Sequence, residues 1–245
     1  MVSTLDERGI VKISRSHLHT ILERVDLKPH RTRMWLHSPD PKFREKVAEI
    51  VALYLHKPPG SVVLSIDEKT GMQALARKHP GRPASPGCLA KKEFEYIRHG
   101  TQSLIAAFEV HTGEMTGVCG KTRTGADLES FMETLAGKYP TGTVHVIWDN
   151  LNIHHGERWR IFNARHGGRF LFHYTPLHAS WVNQIELWFG ILARRCLRHG
   201  SFESVEALRS AVLAFIDHWN SRDKKPFRWT FTGYPLQTGE LNAAA

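Results

Sequence analysis

The chain has 245 residues, of which 41% are apolar and 23% charged. That balance is ordinary for a globular protein and excludes collagen-like, coiled-coil and wholly disordered chains. Lys and Arg number 33 against 24 Asp and Glu, a formal charge of +9, which favours a polyanionic partner because each neutralised phosphate releases counterions. Cys88, Cys119 and Cys196 lie far apart with no C-x-x-C pair, which speaks against a disulfide scaffold and against a cysteine zinc site. The opening MVSTLDERGI lacks the apolar core of a signal peptide, and no run approaches the ~20 apolar residues of a membrane span. These features predict a soluble cytoplasmic protein with no membrane partner.

Residues 1–38 form a small basic segment. Ser14 predicts a helix N-cap, because its oxygen accepts from an otherwise unpaired N–H of the first turn. Leu18, Ile21, Leu22 and Val25 follow at i, i+3, i+4 and i+7. Arg15, Ser16, His17, His19, Thr20 and Arg24 face outward. After a turn containing Gly9, this reads either as the second half of a helix-turn-helix facing DNA or as a surface helix of the main domain. Residues 39–60 predict a linker helix, with Asp40 as N-cap and Pro41 at the first helical position. Phe43, Val47, Ile50, Val51 and Tyr54 give it an apolar stripe, and Lys57-Pro58-Pro59-Gly60 stops it.

From Ser61 onward strand and helix signals alternate. Ser61 to Ile66 is a β-branched run expected to end on Asp67-Glu68. A Pro, Gly, Lys and Arg-rich stretch, Lys78 to Lys92, predicts an exposed basic loop. Gln102 to Val110 and Glu114 to Cys119 flank His111-Thr112-Gly113 as a hairpin. Thr124-Gly125-Ala126-Asp127 resembles a capping box before Leu128, Phe131, Met132 and Leu135. Val144 to Trp148 is a buried-type strand ending on Asp149-Asn150. A helix over Glu157 to His166 and a strand over Phe170 to Tyr174 follow. Helices over Ser180 to His199 and Ser204 to Asn220 complete residues 61–222, and 223–245 is a C-terminal extension with a frayed tail from Asn242 to Ala245. Three strands followed by alternating elements predict an α/β domain with a mixed sheet.

Three acids stand out by position. Asp67 and Asp149 are expected at strand ends, where α/β folds gather reacting groups. Glu186 sits at the margin of the apolar stripe Ile185, Trp188, Phe189, Leu192 and Cys196. Each strand-end Asp alone reads more readily as a turn residue or helix cap. Together, three carboxylates repel one another unless a cation is bound, and oxygen-only ligands suit Mg²⁺ or Mn²⁺. Two such ions about 4 Å apart would activate an attacking oxygen and stabilise the leaving oxygen of a phosphodiester.

Ser65-Ile66-Asp67-Glu68-Lys69, Val146-Ile147-Trp148-Asp149-Asn150 with His154, and Tyr174-Thr175-Pro176-Leu177 running to Asn183-Gln184-Ile185-Glu186-Leu187-Trp188 resemble the bacterial insertion-sequence transposases of the mariner superfamily. The resemblance covers about Ser61 to Asn220. It implies a DDE endonuclease domain with an RNase H-like fold, a five-stranded mixed sheet flanked by helices. It also implies Asp67, Asp149 and Glu186 as catalytic and metal-binding triad, holding two Mg²⁺ or Mn²⁺ ions per site. Asn150, His154 and Asn183 are expected to support that site or touch DNA. The implied activity is cleavage and strand transfer at transposon ends. The implied partners are terminal inverted repeats and target DNA, bound by a homodimer that associates with the nucleoid. Gln184 departs from the Pro common in the family, and only the end of a second helix-turn-helix precedes Pro39, so an N-terminally shortened, split or misassigned reading frame is expected.

Other readings remain at this level. A shortened chain could be a non-catalytic DNA-binding derivative, and the same metal chemistry would serve a sequence-independent RNase H-like nuclease. Arg77, Lys78, Arg82, Lys91 and Lys92 are candidate phosphate contacts alongside Arg15, His17, His19 and Arg24. Arg194, Arg195, Arg198 and His199 read equally as a DNA-tracking stripe or a solvated helix end. Trp181 and Trp188 are expected in the core, and most of the 16 histidines on the surface or facing DNA. No Gly-rich phosphate loop and no G-x-S-x-G elbow occurs.

Overall fold

The computed structural model describes residues 2–26, 28 and 38–230. The chain divides into two compact units, Met1–His37 and Ser38–Ala245. In the first, helix α1 spans Val2–Glu7 and α2 spans Arg15–Arg24. Ser14 caps α2 as expected, its Oγ accepting from the His17 N–H at 3.1 Å. Neither helix buries a residue, and Arg15, His17, His19 and Arg24 are all exposed. Residues 1, 27 and 29–37 of the expected 1–38 segment and the tail beyond 230 lie outside the described residues.

The second unit opens with α3, Phe43–Leu55. It begins later than Pro41 because the Asp40 carboxylate accepts from the Lys42 N–H at 2.9 Å. That closes a turn, and the Phe43 N–H then donates to the Asp40 carbonyl. Val47, Ile50, Val51, Leu53 and Tyr54 are buried, so the apolar stripe does what its spacing predicts.

Strands β1 (Ser61–Arg77), β2 (Tyr96–Glu109) and β3 (Met115–Gly120) form an antiparallel meander. After helix α4 (Gly125–Lys138), strand β4 (Thr143–Trp148) adds in parallel to the other side of β1. Helix α5 (Glu157–Arg165) then leads to β5 (Phe170–Tyr174), parallel to β4. The sheet order is β3-β2-β1-β4-β5, the mixed five-stranded α/β arrangement expected.

One expectation is corrected here: β1 does not stop at Asp67. The apolar run ends there, but Met72, Ala74 and Ala76 continue the burial at alternate positions. The ladder with β2 therefore runs on to Arg77 opposite Tyr96, across an irregularity between Lys69 and Met72. Gly71, at φ +64°, supplies the positive φ of that bulge without strain. Asp67 is thus a mid-strand residue.

Alternation along the strands makes two cores. Val62, Leu64, Ile66, Val144, Val146 and Trp148 pack against α4 and α5. Val63 and Ile147 face the other way, toward α3, α6 (Ile185–Leu192) and α7 (Val205–His218). The capping box of α4 is present in both directions: Thr124 Oγ1 accepts from the Asp127 N–H and Asp127 accepts from the Thr124 N–H. Thr124→Ala is expected to cost about 1 kcal/mol, a fall of a few degrees in the thermal midpoint readable by circular dichroism.

The helix expected over Ser180 to His199 is three pieces. Ser180–Val182 is a 3-10 turn, α6 starts at Ile185, and Ala193–Leu197 is π-helical. A second π-helical stretch, Trp219–Asp223, follows α7. Trp188 is fully buried as expected, whereas Trp181 is 46% exposed; it lies in the 3-10 turn, off the stripe of α6. The three cysteines are free. No helix among the described residues is long and apolar enough to cross a membrane.

Candidate active site

Pairing of β1 with β4 runs in fixed register from Ser61 opposite Thr143 to Ser65 opposite Ile147. Two residues further on each chain stand Asp67 and Asp149. They are at the same height and on the same face as Ser65 and Ile147, on strands about 4.8 Å apart. Helix α6 packs on that face and carries Glu186 in its first turn.

The break before α6 explains why its first turn sits there. Asn183 is buried, and its Nδ2 donates to the Ile66 carbonyl at 3.0 Å and to Asp67 Oδ2 at 3.3 Å. Ser65 donates to Asn183 Oδ1, and the Ser65 Oγ accepts from the Ile185 N–H at 2.9 Å. A hydroxyl from β1 thus caps α6, satisfying one of the orphan donors of a helix start. From α3, the Tyr54 hydroxyl donates to the Val182 carbonyl at 2.9 Å. A helical Asn183 would lose the clamp, so the chain breaks the helix at that point.

The electrostatics bring the acids together. Burial pushes the Asp67 carboxyl up to about 7, and the charges of Asp149, Glu68 and Glu186 push the same way against a hydrogen bond from the Glu68 N–H. For Asp149, burial is outweighed by hydrogen bonds from His154 and the Leu151 N–H and by the Arg123 charge, which hold it below the usual range. Glu186 is exposed, at the mouth of the site.

On the opposite face lies a feature the residue pattern did not show. The Glu68 and His154 side chains are both fully inaccessible, with His154 Nε2 3.1 Å from Glu68 Oε1 and Nδ1 2.8 Å from Asp149 Oδ1. The His154 ring stacks on Trp148 at 4.6 Å. Burial opposes a charge on this imidazole, but its bonds to Asp149 and Glu68 prevail and raise it to about 9. A buried imidazolium therefore bridges two carboxylates. Glu68 Oε2 has no described hydrogen-bond partner.

The donor set fits a hard divalent cation: all oxygen, with negative charge opposing itself around a carboxyl only 7% exposed. Among the described residues, no three His, Cys, Asp or Glu side chains are already closed around one point, so the carboxylates would have to draw inward on a metal.

A sequence family described as DDE superfamily endonuclease matches residues 62–209. The chain belongs to the DDE superfamily endonucleases. Among solved structures, this chain is similar to the Mos1 mariner paired end complex with Mn, at 14% identity and a TM-score of 0.52, over 92% of this chain and 78% of that one. A pre-cleavage Mos1 transpososome matches at 15% identity and a TM-score of 0.53, and the Mos1 strand transfer complex at 13% and 0.51. The pre-cleavage match covers 92% of this chain and 78% of that one, and the strand transfer match 92% and 77%. At such identities the likeness is one of fold, and the fold is RNase H-like. No curated protein matches the sequence.

Of the residues singled out in the sequence, Asn183 bonds Asp67 and His154 bonds Asp149, Glu68 joins the two pairs, and Glu186 acts on Asp67 by its charge. Asn150 donates to the Thr175 carbonyl, joining the ends of β4 and β5. The basic candidates are elsewhere. Arg77 is ten residues beyond Asp67 on an extended strand, about 30 Å away along it, and Lys78, Arg82, Lys91 and Lys92 follow it. Arg77 donates to the Glu93 carbonyl and Lys78 pairs with Glu95 at 2.8 Å. Ser65, Tyr54 and Glu68 were missed. Ser65 alone carried a signal, a hydroxyl inside a buried β-branched run.

Proposed function

We propose that this protein is a DNA transposase that cuts and joins phosphodiesters at transposon ends with Mg²⁺ or Mn²⁺, using Asp67, Asp149 and Glu186 to hold two ions. The observation that carries the reading is the register of Asp67 with Asp149 on adjacent strands, with the Glu186 charge acting on the same carboxyl. Ions held there would supply an activated attacking oxygen and charge stabilisation for the leaving oxygen. The protein's own residues do the rest. Asn183 fixes the Asp67 carboxylate from behind, and His154 with the Leu151 N–H fixes Asp149. Glu186 stands on the exposed rim. Double-stranded DNA of the terminal repeats and target is the substrate, two protomers pair the two ends, and the reaction takes place in the cytoplasm on the nucleoid.

The test is nicking of supercoiled plasmid by purified protein with Mn²⁺, Mg²⁺ or Ca²⁺, beside Asp149→Asn. Nicking with Mn²⁺ or Mg²⁺ is expected, and a loss on the order of a thousandfold in the variant, since several kcal/mol of charge stabilisation depend on the site. DNA bound but uncut under every metal would replace this reading with a non-catalytic DNA-binding protein.

A further inference from the structure

A second concave feature lies away from the carboxylates. A cleft of about 510 Å³ is lined by Ile191, Arg194, Arg195, Trp219, Arg222, Asp223, Lys224 and Lys225. Arg194 is eight residues past Glu186, about 12 Å along a helix. Trp219 Nε1 donates to the Gly113 carbonyl at 2.8 Å, which places the cleft by the β2–β3 hairpin.

Five of the eight lining residues belong to the two π-helical stretches, Ala193–Leu197 and Trp219–Asp223. A π turn inserts a residue and re-aims the side chains around it, and such turns recur at functional sites. Here both turn guanidinium groups into one concavity. Arg195 is paired with Asp223. Arg194, Arg222 and Lys224 are exposed, and their side chains make no ion pair with a described residue. Five cations and one carboxylate leave a net +4, more than a single phosphate's charge of about −2 can neutralise. The ring of Trp219 is 2% exposed and offers no face for a base to stack on.

We propose that this cleft is a second nucleic-acid site, which grips successive phosphates of a DNA backbone without reading sequence. Concavity, uncompensated charge and the absence of an exposed aromatic ring point to backbone contact and not to base readout. Only the identity of the polyanion as DNA rests on the reading above.

The test is fluorescence anisotropy in EDTA, so that nothing is cut, with two labelled duplexes of unrelated sequence across a salt series. Arg194→Gln with Arg222→Gln should weaken both duplexes equally, by roughly tenfold near 0.1 M salt, and lower the log–log salt slope by about two. Lys224→Gln, at an exposed position, should lower it by about one and guards against a folding defect in the double variant. Inorganic phosphate at matched ionic strength should not compete. Unchanged slopes, a loss confined to one sequence, or displacement of the duplex by inorganic phosphate at matched ionic strength would each overturn the proposal. Plasmid nicking reads the carboxylates independently: its failure with the slopes still lowered would sink the catalytic reading and leave the cleft standing.

Discussion

Asp67→Asn is expected to stabilise the metal-free protein at pH 8 while abolishing its response to Mn²⁺. The Asp67 carboxyl is raised from 3.8 to about 7 by burial and then by the neighbouring acids. Between those values the folded protein holds a proton that the unfolded chain has released, so stability falls as pH rises from about 4 to about 7. Three units correspond to ~4 kcal/mol. The amide keeps an acceptor for Asn183 but gives up one of the two that the carboxylate offers to Asn183 and the Glu68 N–H. That loss offsets about 1 kcal/mol, leaving a gain of about 2–3 kcal/mol above pH 7 and none near pH 4. In the wild type, Mn²⁺ should recover the same energy and raise the melting temperature at pH 8. The variant should show no such rise and no nicking. A variant less stable than wild type at pH 8 would mean that the carboxylates are not crowded, and the metal reading would lose its main physical support.

This conflict between stability and the candidate site explains what the residue pattern disclosed and what it hid. Hydrophobic pattern sufficed for β4, a continuous run buried on both faces, and for α4 and α7, which each bury one face against a core. It failed where tertiary contacts override local preference. Beyond Asp67 the strand is polar at Glu68, Lys69 and Thr70, and pairing with β2, joined further on by the Phe202 N–H donating to the Leu75 carbonyl, keeps it extended. Ahead of Glu186 the sequence is helix-compatible, yet Asn183 leaves the helix because Ser65 and Asp67, more than a hundred residues earlier, take its side chain. The acids were legible by position and by a resemblance. Their mutual register was not, since register is set by pairing across the sheet. The π turns left no sequence trace: Arg194 and Arg195 read equally as a DNA-tracking stripe or a solvated helix end, and nothing in the sequence joined them to Arg222.

His154→Leu carries the other large effect. The Glu68 side chain is inaccessible and its Oε1 has His154 as partner, while Oε2 has none among the described residues. Removing the imidazolium strands a carboxylate in an apolar layer, a change that ordinarily costs 3–5 kcal/mol, on the order of a broken buried ion pair. The imidazole is held up to about 9 from 6.5, burial opposing and the Asp149 and Glu68 bonds prevailing. Its contribution is therefore complete below pH 6.5 and lost as pH rises through 9, about 3 kcal/mol in all. Urea unfolding at pH 6 should show the full deficit of His154→Leu, and at pH 9.5 a much smaller one. Adding Glu68→Gln to that variant should restore at least half of the loss at pH 6, because the amide no longer brings a charge into the core. Equal instability of the single and double variants would place the energy in packing against Trp148 and not in the ion pair. In that case His154→Phe, which keeps the stack on Trp148, should match wild type in urea unfolding at pH 6.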